Sequence, residues 1–318
     1  MPTIPSPLQE IEHPLFRKHN INVLVKRDDL IHPIISGNKW RKLKANIIEA
    51  KKVGNKGVMS FGGAYSNHIH ALAYACKQEG LSSKAIIRGE PHYQNNYTLR
   101  WAAHWGMELI FVDRNTYRRR QDSDYIDELL KQHPGYHIVP EGGSNTLALV
   151  GVGDVMTELN AQADFDAMYL PVGSGGTLAG IIKADNEHHH IHGIAVLKQA
   201  EYLTTEIMNL LDNKLFNNWQ LHTQYHGGGY AKFDQLSLQT LTEFVRDTRI
   251  PFEPVYSGKM LLAFLDRVKQ GFIEAGSTTV LLHTGGLQGV GGLLERNRLS
   301  DAYITAIQSH LPSAPQVP

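Results

Sequence analysis

A run of small residues follows an apolar, strand-like segment near the middle of the chain and precedes the helix-like Leu178–Ile182. The run consists of Gly173, Ser174, Gly175, Gly176 and Thr177. Backbone N–H groups at a helix N-terminus bind anions, and small residues let those groups close around one. The run lacks the Lys-Ser/Thr pair of a P-loop and the third glycine of the G-x-G-x-x-G motif. It therefore predicts a cradle for the phosphate of a small cofactor, with a nucleotide as the alternative.

A lysine that could act as a nucleophile follows a second glycine-containing turn. Lys39 comes directly after Ser36-Gly37-Asn38, at the start of a helical pattern. The positive end of a helix dipole disfavours an ammonium group, which lowers the pKa of the amine and frees it for reaction. Lys42 and Lys44 on the same helix are predicted to be surface lysines, and Lys39 taken alone could be one as well.

A third turn joins a strand-like segment to a helical one at Ser66-Asn67-His68. Serine and asparagine are both good N-cap residues, so the helix is expected to begin there. Two interpretations are open. In the first, the turn serves solely as a helix cap. In the second, Ser66 and Asn67 face a ligand and bind its carboxylate at the helix N-terminus.

A scaffold for these turns is predicted from short β-branched runs that alternate with longer amphipathic segments. The predicted strands are Asn22–Lys26, Gly57–Ser60, Lys84–Arg88, Glu108–Val112, Tyr136–Val139, Ala167–Val172, Gly193–Val196 and Thr278–His283. Predicted helices include Lys39–Lys52, Asn67–Gly80 and Leu178–Asn186. This alternation predicts an α/β fold with parallel sheets. Ligands bind beyond the carboxyl ends of such strands, so we expect the glycine-rich turns to meet in one site.

The composition limits the classes of function. The 318 residues are long for one core, and 31 basic residues balance 31 acidic ones, which gives no electrostatic case for nucleic acid or an anionic membrane. Cys76 is the single cysteine, so neither a disulfide nor a thiolate zinc cluster can form within one chain. The N-terminus has no apolar segment of the signal-peptide type and no run has the length of a membrane span, so a cytoplasmic enzyme is expected.

In combination these motifs resemble the 1-aminocyclopropane-1-carboxylate (ACC) deaminase/D-cysteine desulfhydrase family of pyridoxal-5′-phosphate (PLP) enzymes. The resemblance runs from Val25–Leu30 to His283–Gly286 and includes the P-x-G-G-S-N pattern at Pro140–Asn145. It implies the tryptophan synthase β-like fold. Two open twisted sheets flanked by helices would hold PLP in a cleft between a larger domain, residues 1–44 and 156–318, and a smaller one, residues 45–155.

The resemblance also implies a role for each matching residue. Lys39 would form the Schiff base, Asn67 would bond the 3′-oxygen of PLP, and Gly173–Thr177 would hold the phosphate. The carboxylate of a small amino-acid substrate would dock at Ser66-Asn67-His68. Either Lys39 or Ser66 would remove the Cα proton. The family is usually dimeric, so a homodimer is expected.

Four further positions bear on the reaction. Tyr230 and Tyr256 resemble two tyrosines that line the family's active site, although the segment around Tyr230 lacks the family's P-G-Y-G pattern. Members that open the ACC ring carry Glu and Leu where this chain has Ser257 and Thr284. A serine hydroxyl facing the pyridine nitrogen shares only a neutral hydrogen bond, so the ring is a weaker electron sink than one held by glutamate. β-Elimination from a small D-amino acid is therefore favoured over ring opening.

Four alternatives remain: ACC deaminase, a PLP-dependent β-replacement synthase, a nicotinamide oxidoreductase and a PLP-binding protein without turnover. No acidic residue lies about 20 positions after the Gly173–Thr177 run, where an NAD ribose contact would be expected. The histidines of His188–His192 are predicted to form a solvated loop rather than a metal site, because adjacent side chains point in different directions.

Overall fold

The computed structural model describes residues 2–35 and 37–311. Its strands are β1 (Leu8–Glu10), β2 (Asn22–Lys26), β3 (Gly57–Gly63), β4 (Ser82–Arg88), β5 (Met107–Val112), β6 (Tyr136–Val139), β7 (Ala167–Val172), β8 (His190–Ala195), β9 (Trp219–His222) and β10 (Thr278–Leu282). Its α-helices are α1 (Pro14–Lys18), α2 (Asn38–Lys52), α3 (Asn67–Gln78), α4 (Tyr97–His104), α5 (Arg114–Arg118), α6 (Ser123–Gln132), α7 (Thr146–Gln162), α8 (Gly176–Asp185), α9 (Leu203–Leu210), α10 (Gln235–Thr248), α11 (Ser257–Lys269), α12 (Val290–Leu294) and α13 (Asp301–Ile307). Short 3-10 helices span Asp28–Leu30, Pro91–Asn95, Glu141–Gly143, Leu287–Gly289 and Gln308–His310.

The strands form two sheets, as the resemblance implied. Six strands pair in the order β1-β2-β10-β7-β8-β9, and four pair in the order β5-β4-β3-β6. All neighbours are parallel except β1, which pairs antiparallel with β2 at the edge of the larger sheet. The α/β architecture is thus confirmed, with one antiparallel edge strand that the sequence pattern did not predict. The domain boundaries stay a prediction.

Helices cover both faces of each sheet, as parallel sheets require. Along β10, Val280 and Leu282 pack against α7, α8 and α9, while Leu281 between them packs against α10, α11 and α13. In the smaller sheet Val58 packs with α2, α3 and α4, and Met59 packs with α6. Successive side chains of a strand thus pack against helices on opposite faces of the sheet, and the turns lie beyond the ends of the strands.

The histidine-rich segment differs from its predicted conformation. Strand β8 begins at His190 instead of Gly193, so part of the segment belongs to the sheet. His189 stacks on Phe165 with ring centroids 3.8 Å apart, and its Nδ1 lies 2.5 Å from Asp185 Oδ1. The prediction of a loop over the whole segment is wrong, because part of it pairs in the sheet and because Phe165 and Asp185 hold the His189 ring in place.

Within residues 2–35 and 37–311, no helix has both the length and the apolar character needed to cross a bilayer. In the same residues no three histidine, cysteine, aspartate or glutamate side chains come together as metal ligands.

Candidate active site

A cavity of about 1090 Å³ opens where the carboxyl ends of strands from both sheets meet. Nearly every residue singled out from the sequence lines it: Lys39, Ser66, Asn67, His68, Gly173, Ser174, Gly175, Thr177, Tyr230, Tyr256 and Thr284. Ser257 and Gly176 lie behind its wall. The turns that were expected to converge are therefore brought together by the fold, in the position typical of parallel α/β sheets.

Lys39 is held at the start of α2 by a turn that only glycine can make. Gly37 has φ of 66°, and a Cβ there would collide with the carbonyl oxygen of Thr284. That same oxygen accepts a hydrogen bond from Asn38 N at 3.3 Å. The turn thus fixes α2 against the segment after β10. Ser36, the first residue of the predicted turn, lies outside the described residues.

The Lys39 amine lies in an environment that favours its neutral form. Burial lowers the pKa of Lys39 to about 8, while the nearby carboxylate of Glu141 raises it. Its Nζ donates to the carbonyl oxygen of Gly142 at 3.4 Å. Desolvation is therefore the main cause of the lowered pKa of Lys39, which the sequence analysis attributed to the helix dipole.

Lys42 was predicted to be a surface lysine, and that prediction is wrong. Lys42 is buried, and its Nζ donates to Gly142 O at 3.3 Å and to Ser144 Oγ at 3.0 Å. Burial, and then the charge of Lys39, lowers its pKa well below the usual range. Three residues after Lys39, Lys42 lies on the same helix face, a spacing that could have indicated its position. Lys44 is half exposed and lies 3.6 Å from Asp154.

The small-residue run surrounds the start of α8 as a cradle. Gly175 is the N-cap, with φ of 78°. A Cβ on Gly176 would collide with Ser144 and lie 3.1 Å from Lys42 Nζ. Ser174 Oγ is 2.8 Å from Ser144 Oγ. The cradle therefore includes Lys42 and Ser144, which the sequence did not single out for it.

The turn before α3 caps the helix and keeps polar groups at the cavity. Ser66 Oγ accepts from Ile69 N at 3.3 Å. His68 Nε2 lies 2.8 Å from Ser60 Oγ, which itself donates to Val139 O at 2.7 Å. Because the serine proton is used there, His68 must donate from Nε2, which leaves Nδ1 as an acceptor. That buried Nδ1 has no partner among the described residues, and burial lowers the pKa of His68 well below its usual range.

Two tyrosines line the cavity together. The rings of Tyr230 and Tyr256 meet edge to face with centroids 5.8 Å apart. Burial raises the pKa of both hydroxyl groups, so both are neutral proton donors. Lys259 holds the loop of Tyr230, because its Nζ donates to Gly229 O at 2.6 Å and to His226 O at 2.7 Å.

Ser257 is engaged by a carboxylate that the sequence reasoning missed. Its Oγ accepts from Glu253 N at 3.1 Å and lies 3.2 Å from Glu253 Oε1. Glu253 also accepts from the backbone N–H groups of Val255, Tyr256 and Ser257 at 2.7–2.8 Å. Burial raises the pKa of Glu253 to about 7, and these N–H donors oppose the shift. The predicted contact between Ser257 and the cofactor stays a prediction.

The residues present fit a phosphorylated cofactor. The amines of Lys39 and Lys42 have no carboxylate within ion-pair distance in the described part of the chain. A phosphate bound at the Gly173–Thr177 cradle would lie beside these amines and would stabilise their protonated forms.

Comparison with known proteins gives a family and relatives. The family model described as "Pyridoxal-phosphate dependent enzyme" matches residues 2–285. A Thermotoga maritima protein named "Putative 1-aminocyclopropane-1-carboxylate deaminase" is 30% identical over 90% of this chain and 95% of its own. A Yersinia enterocolitica D-cysteine desulfhydrase is 23% identical over 83% of this chain and 86% of its own. The crystal structure of an ACC deaminase homologue superposes with a TM-score of 0.80 at 26% identity, covering 95% of this chain and 93% of that one.

Proposed function

The chain belongs to the pyridoxal-phosphate dependent enzyme family, and from this premise we propose that its cavity catalyses β-elimination from a small D-amino acid such as D-cysteine. The products are an oxo acid, ammonia and, from cysteine, sulfide. The observation that carries the proposal is the pair of amines, Lys39 and Lys42, beside a glycine-rich helix N-terminus. Relatives named for ACC deamination and for D-cysteine desulfhydration support this reaction class.

The cofactor would be held by residues of three elements. Lys39 Nζ would attach it covalently, and Gly173–Thr177 with Lys42 and Ser144 would bind its phosphate. Asn67 would bond the 3′-oxygen, and Ser257 would face the ring nitrogen. When bound, PLP supplies an electron-withdrawing ring that acidifies the Cα proton of an amino acid.

The chain's own groups would then bind the substrate and move its protons. The N-terminus of α3, with Ser66 and His68, would bind the substrate carboxylate, since backbone N–H groups there attract anions. Lys39, whose pKa of about 8 leaves much of the amine neutral near pH 8, would accept the Cα proton. Tyr256 or Tyr230 would donate a proton to the leaving sulfur, because both hydroxyl groups are neutral. Thr284 would lie beside the substrate.

A substrate screen tests the proposal. Purified protein loaded with PLP is assayed with D-cysteine, L-cysteine, D-serine, β-chloroalanine and ACC, and oxo acid and ammonia are measured. We expect D-cysteine turnover to exceed ACC turnover, because neither Ser257 nor Thr284 matches the ring-opening pattern. ACC turnover equal to or above that of D-cysteine would overturn the preference. Thiol added during turnover would appear in a new amino acid if the enzyme were a β-replacement synthase.

We also propose that the protein is a cytoplasmic homodimer with a larger domain of residues 1–44 and 156–318. These features are supported only by the family resemblance. Analytical ultracentrifugation distinguishes a monomer of 35.5 kDa from a particle of twice that mass. A monomer that retains full activity would contradict the assembly proposal.

A further inference from the structure

Two arginines lie on either side of the turn at which the substrate carboxylate is proposed to bind. Arg88 ends β4 in register with Gly63, and its Nη2 is 3.6 Å from where a Cβ of Gly63 would be. Arg296 follows α12, and its guanidinium is 4.2 Å from the ring centre of Tyr65. Gly63 and Tyr65 both belong to the Gly63–Ser66 turn, so the two guanidinium groups approach this turn from different elements, Arg88 from β4 and Arg296 from the segment after α12.

Both guanidinium groups are held in place without a carboxylate. Arg88 lies 5.5 Å from the ring centre of Tyr117, and Arg296 Nε donates to Gly292 O at 2.8 Å. Within residues 2–35 and 37–311, neither arginine has a carboxylate oxygen within ion-pair distance. Aromatic faces and a backbone carbonyl orient these groups but do not neutralise them. Their charge therefore remains available to an anion in the cavity.

The carboxylates that line the same cavity do not neutralise Arg88 or Arg296, because they bond other groups or lie on other elements. Glu141 accepts from Arg120 Nε at 2.6 Å. Asp113 caps α5 by accepting from backbone N–H groups, the nearer at 2.7 Å. Glu90 lies 3.3 Å from a histidine ring nitrogen, and Glu206 is on α9. None of them forms an ion pair with the two guanidinium groups in the part of the chain described.

Both arginines line the cavity, and both are exposed to solvent. Burial raises the pKa of Tyr230, and the positive charges of Arg296 and Arg88 oppose that shift. Both guanidinium groups thus act on the same hydroxyl, which lines the cavity. The cavity has a volume of about 1090 Å³, at the upper end of the roughly 300–1,000 Å³ that ligand pockets commonly measure.

We propose that the site takes amino acids whose β-substituent ends in a carboxylate, and that Arg88 and Arg296 bind this second anion. The proposal rests on the proposed β-elimination and specifies its substrate class. For a β-thioether substrate, the Cβ–S bond breaks and its electron pair leaves with sulfur. The Cα proton passes to the protein base, the thiolate takes up a proton, and one water releases pyruvate and ammonia. No oxidant or reductant is needed.

The test compares two substrates of nearly equal shape that differ in charge. S-carboxymethylcysteine ends in a carboxylate, and S-carbamoylmethylcysteine ends in a neutral amide; both enantiomers of each are assayed. We expect kcat/KM to favour the carboxylate at least about tenfold in the wild-type protein, as charge complementarity predicts. The Arg88→Gln/Arg296→Gln double variant should lose that preference. The corresponding lysine variants should retain part of it, and 0.5 M salt should reduce it because the groups are solvent-accessible.

Arg118→Gln is the matched control, because this arginine lies on α5 outside the cavity lining and, among the described residues, its side chain bonds only Asn115. The control should keep the wild-type preference. Equal rates for the two substrates, or a preference that survives the double variant, would overturn the proposal even if D-cysteine is turned over. If no amino acid is turned over, the proposed function fails. In that case the dissociation constants of the two ligands are measured by calorimetry on the wild type. Tighter binding of the carboxylate ligand would support the role of Arg88 and Arg296, and equal binding would overturn it.

Discussion

Lys39 and Lys42 are one helical turn apart, and a single glycine turn positions both. Their amines share the carbonyl oxygen of Gly142, at 3.4 Å and 3.3 Å, although Gly142 is about 100 residues away in the chain. Burial lowers the pKa of both amines, and the charge of Lys39 lowers the pKa of Lys42 further. The pair is therefore suited to one neutral nucleophile and one anion-binding group.

The first prediction concerns the reactivity of Lys39. Because the pKa of Lys39 is about 8, the neutral amine that attacks the PLP aldehyde should increase as pH rises through that value. The rate at which apoprotein binds PLP covalently, followed by visible absorption, should therefore rise between pH 7 and 9. Lys39→Ala should abolish the absorption band and turnover. Lys44→Ala, on the exposed face, should change neither; a band retained by Lys39→Ala would refute the assignment.

A second prediction at this scale concerns Glu253. Burial raises the pKa of Glu253 from 4.5 to about 7, so the folded protein holds this proton more tightly than the unfolded chain does. Stability should then fall as pH rises from about 4.5 to about 7, by up to about 3 kcal/mol. Unfolding in urea at pH 5 and pH 8 measures this slope. Glu253→Gln should lack that component, and an identical slope in the two proteins would exclude Glu253 as its source.

At the scale of elements, a buried ionic network fixes the start of α2. Arg41 Nε donates to Asp28 Oδ2 at 2.7 Å, and Arg41 Nη1 donates to Glu158 Oε1 at 2.9 Å. Lys26 Nζ lies 2.7 Å from Glu158 Oε2. The network joins the segment after β2, helix α2 and helix α7. Since Lys39 lies two residues before Arg41, this network also fixes the position of the site.

Removal of one charge from this network should therefore be costly. Glu158→Gln leaves buried Lys26 without its ion-pair partner and Arg41 with Asp28 alone, and it should lower the free energy of unfolding by about 3 kcal/mol. Glu79→Gln breaks the exposed pair with Lys51 and should cost less than about 1 kcal/mol. Burial raises the pKa of Glu158, but its hydrogen bonds to Arg41 and Lys26 prevail and lower it to about 2. Its stabilisation should therefore be present above pH 4.5 and fade as pH falls toward 2. Equal costs for the two variants would contradict this account.

Most elements could be predicted from the sequence, and the exceptions have physical causes. The bounds of β2, β6 and β7 agree with the predicted strands, because each is an apolar run between polar turns. β1 has three residues, too few to show alternation. β8 was predicted to begin at Gly193, because three histidines in a row resemble a loop until their partners are known.

At the scale of the whole molecule, the site depends on two sheets with separate cores. The cavity takes Lys39 and Gly173 from segments next to the larger sheet and Ser66 from the smaller one. A cofactor that contacts both should stabilise the folded chain, since it binds the folded state and not the unfolded one.

Saturation with PLP should accordingly raise the free energy of unfolding by about 2.7 kcal/mol at a concentration 100 times the Kd. Thermal unfolding with and without PLP measures the shift in Tm. Pyridoxal without its phosphate is the control and should give a smaller shift, because it leaves the Gly173–Thr177 cradle and Lys42 without their anion. Equal shifts with both compounds would argue against the phosphate site.

The sequence by itself determined the α/β class, and it singled out the small-residue run before α8, Lys39 and Ser66, whose roles stay predictions. Each of these signals lies within a few consecutive residues, where glycine, N-cap chemistry and side-chain period act locally. Only the tertiary structure decided that Lys42 is buried, that Glu253 engages Ser257, and that Arg88 and Arg296 share one cavity. Arg88 and Arg296 are more than 200 positions apart, and they line one cavity because tertiary packing brings the end of β4 and the segment after α12 to the same turn. No local pattern encodes that geometry, because it arises from the packing of whole layers.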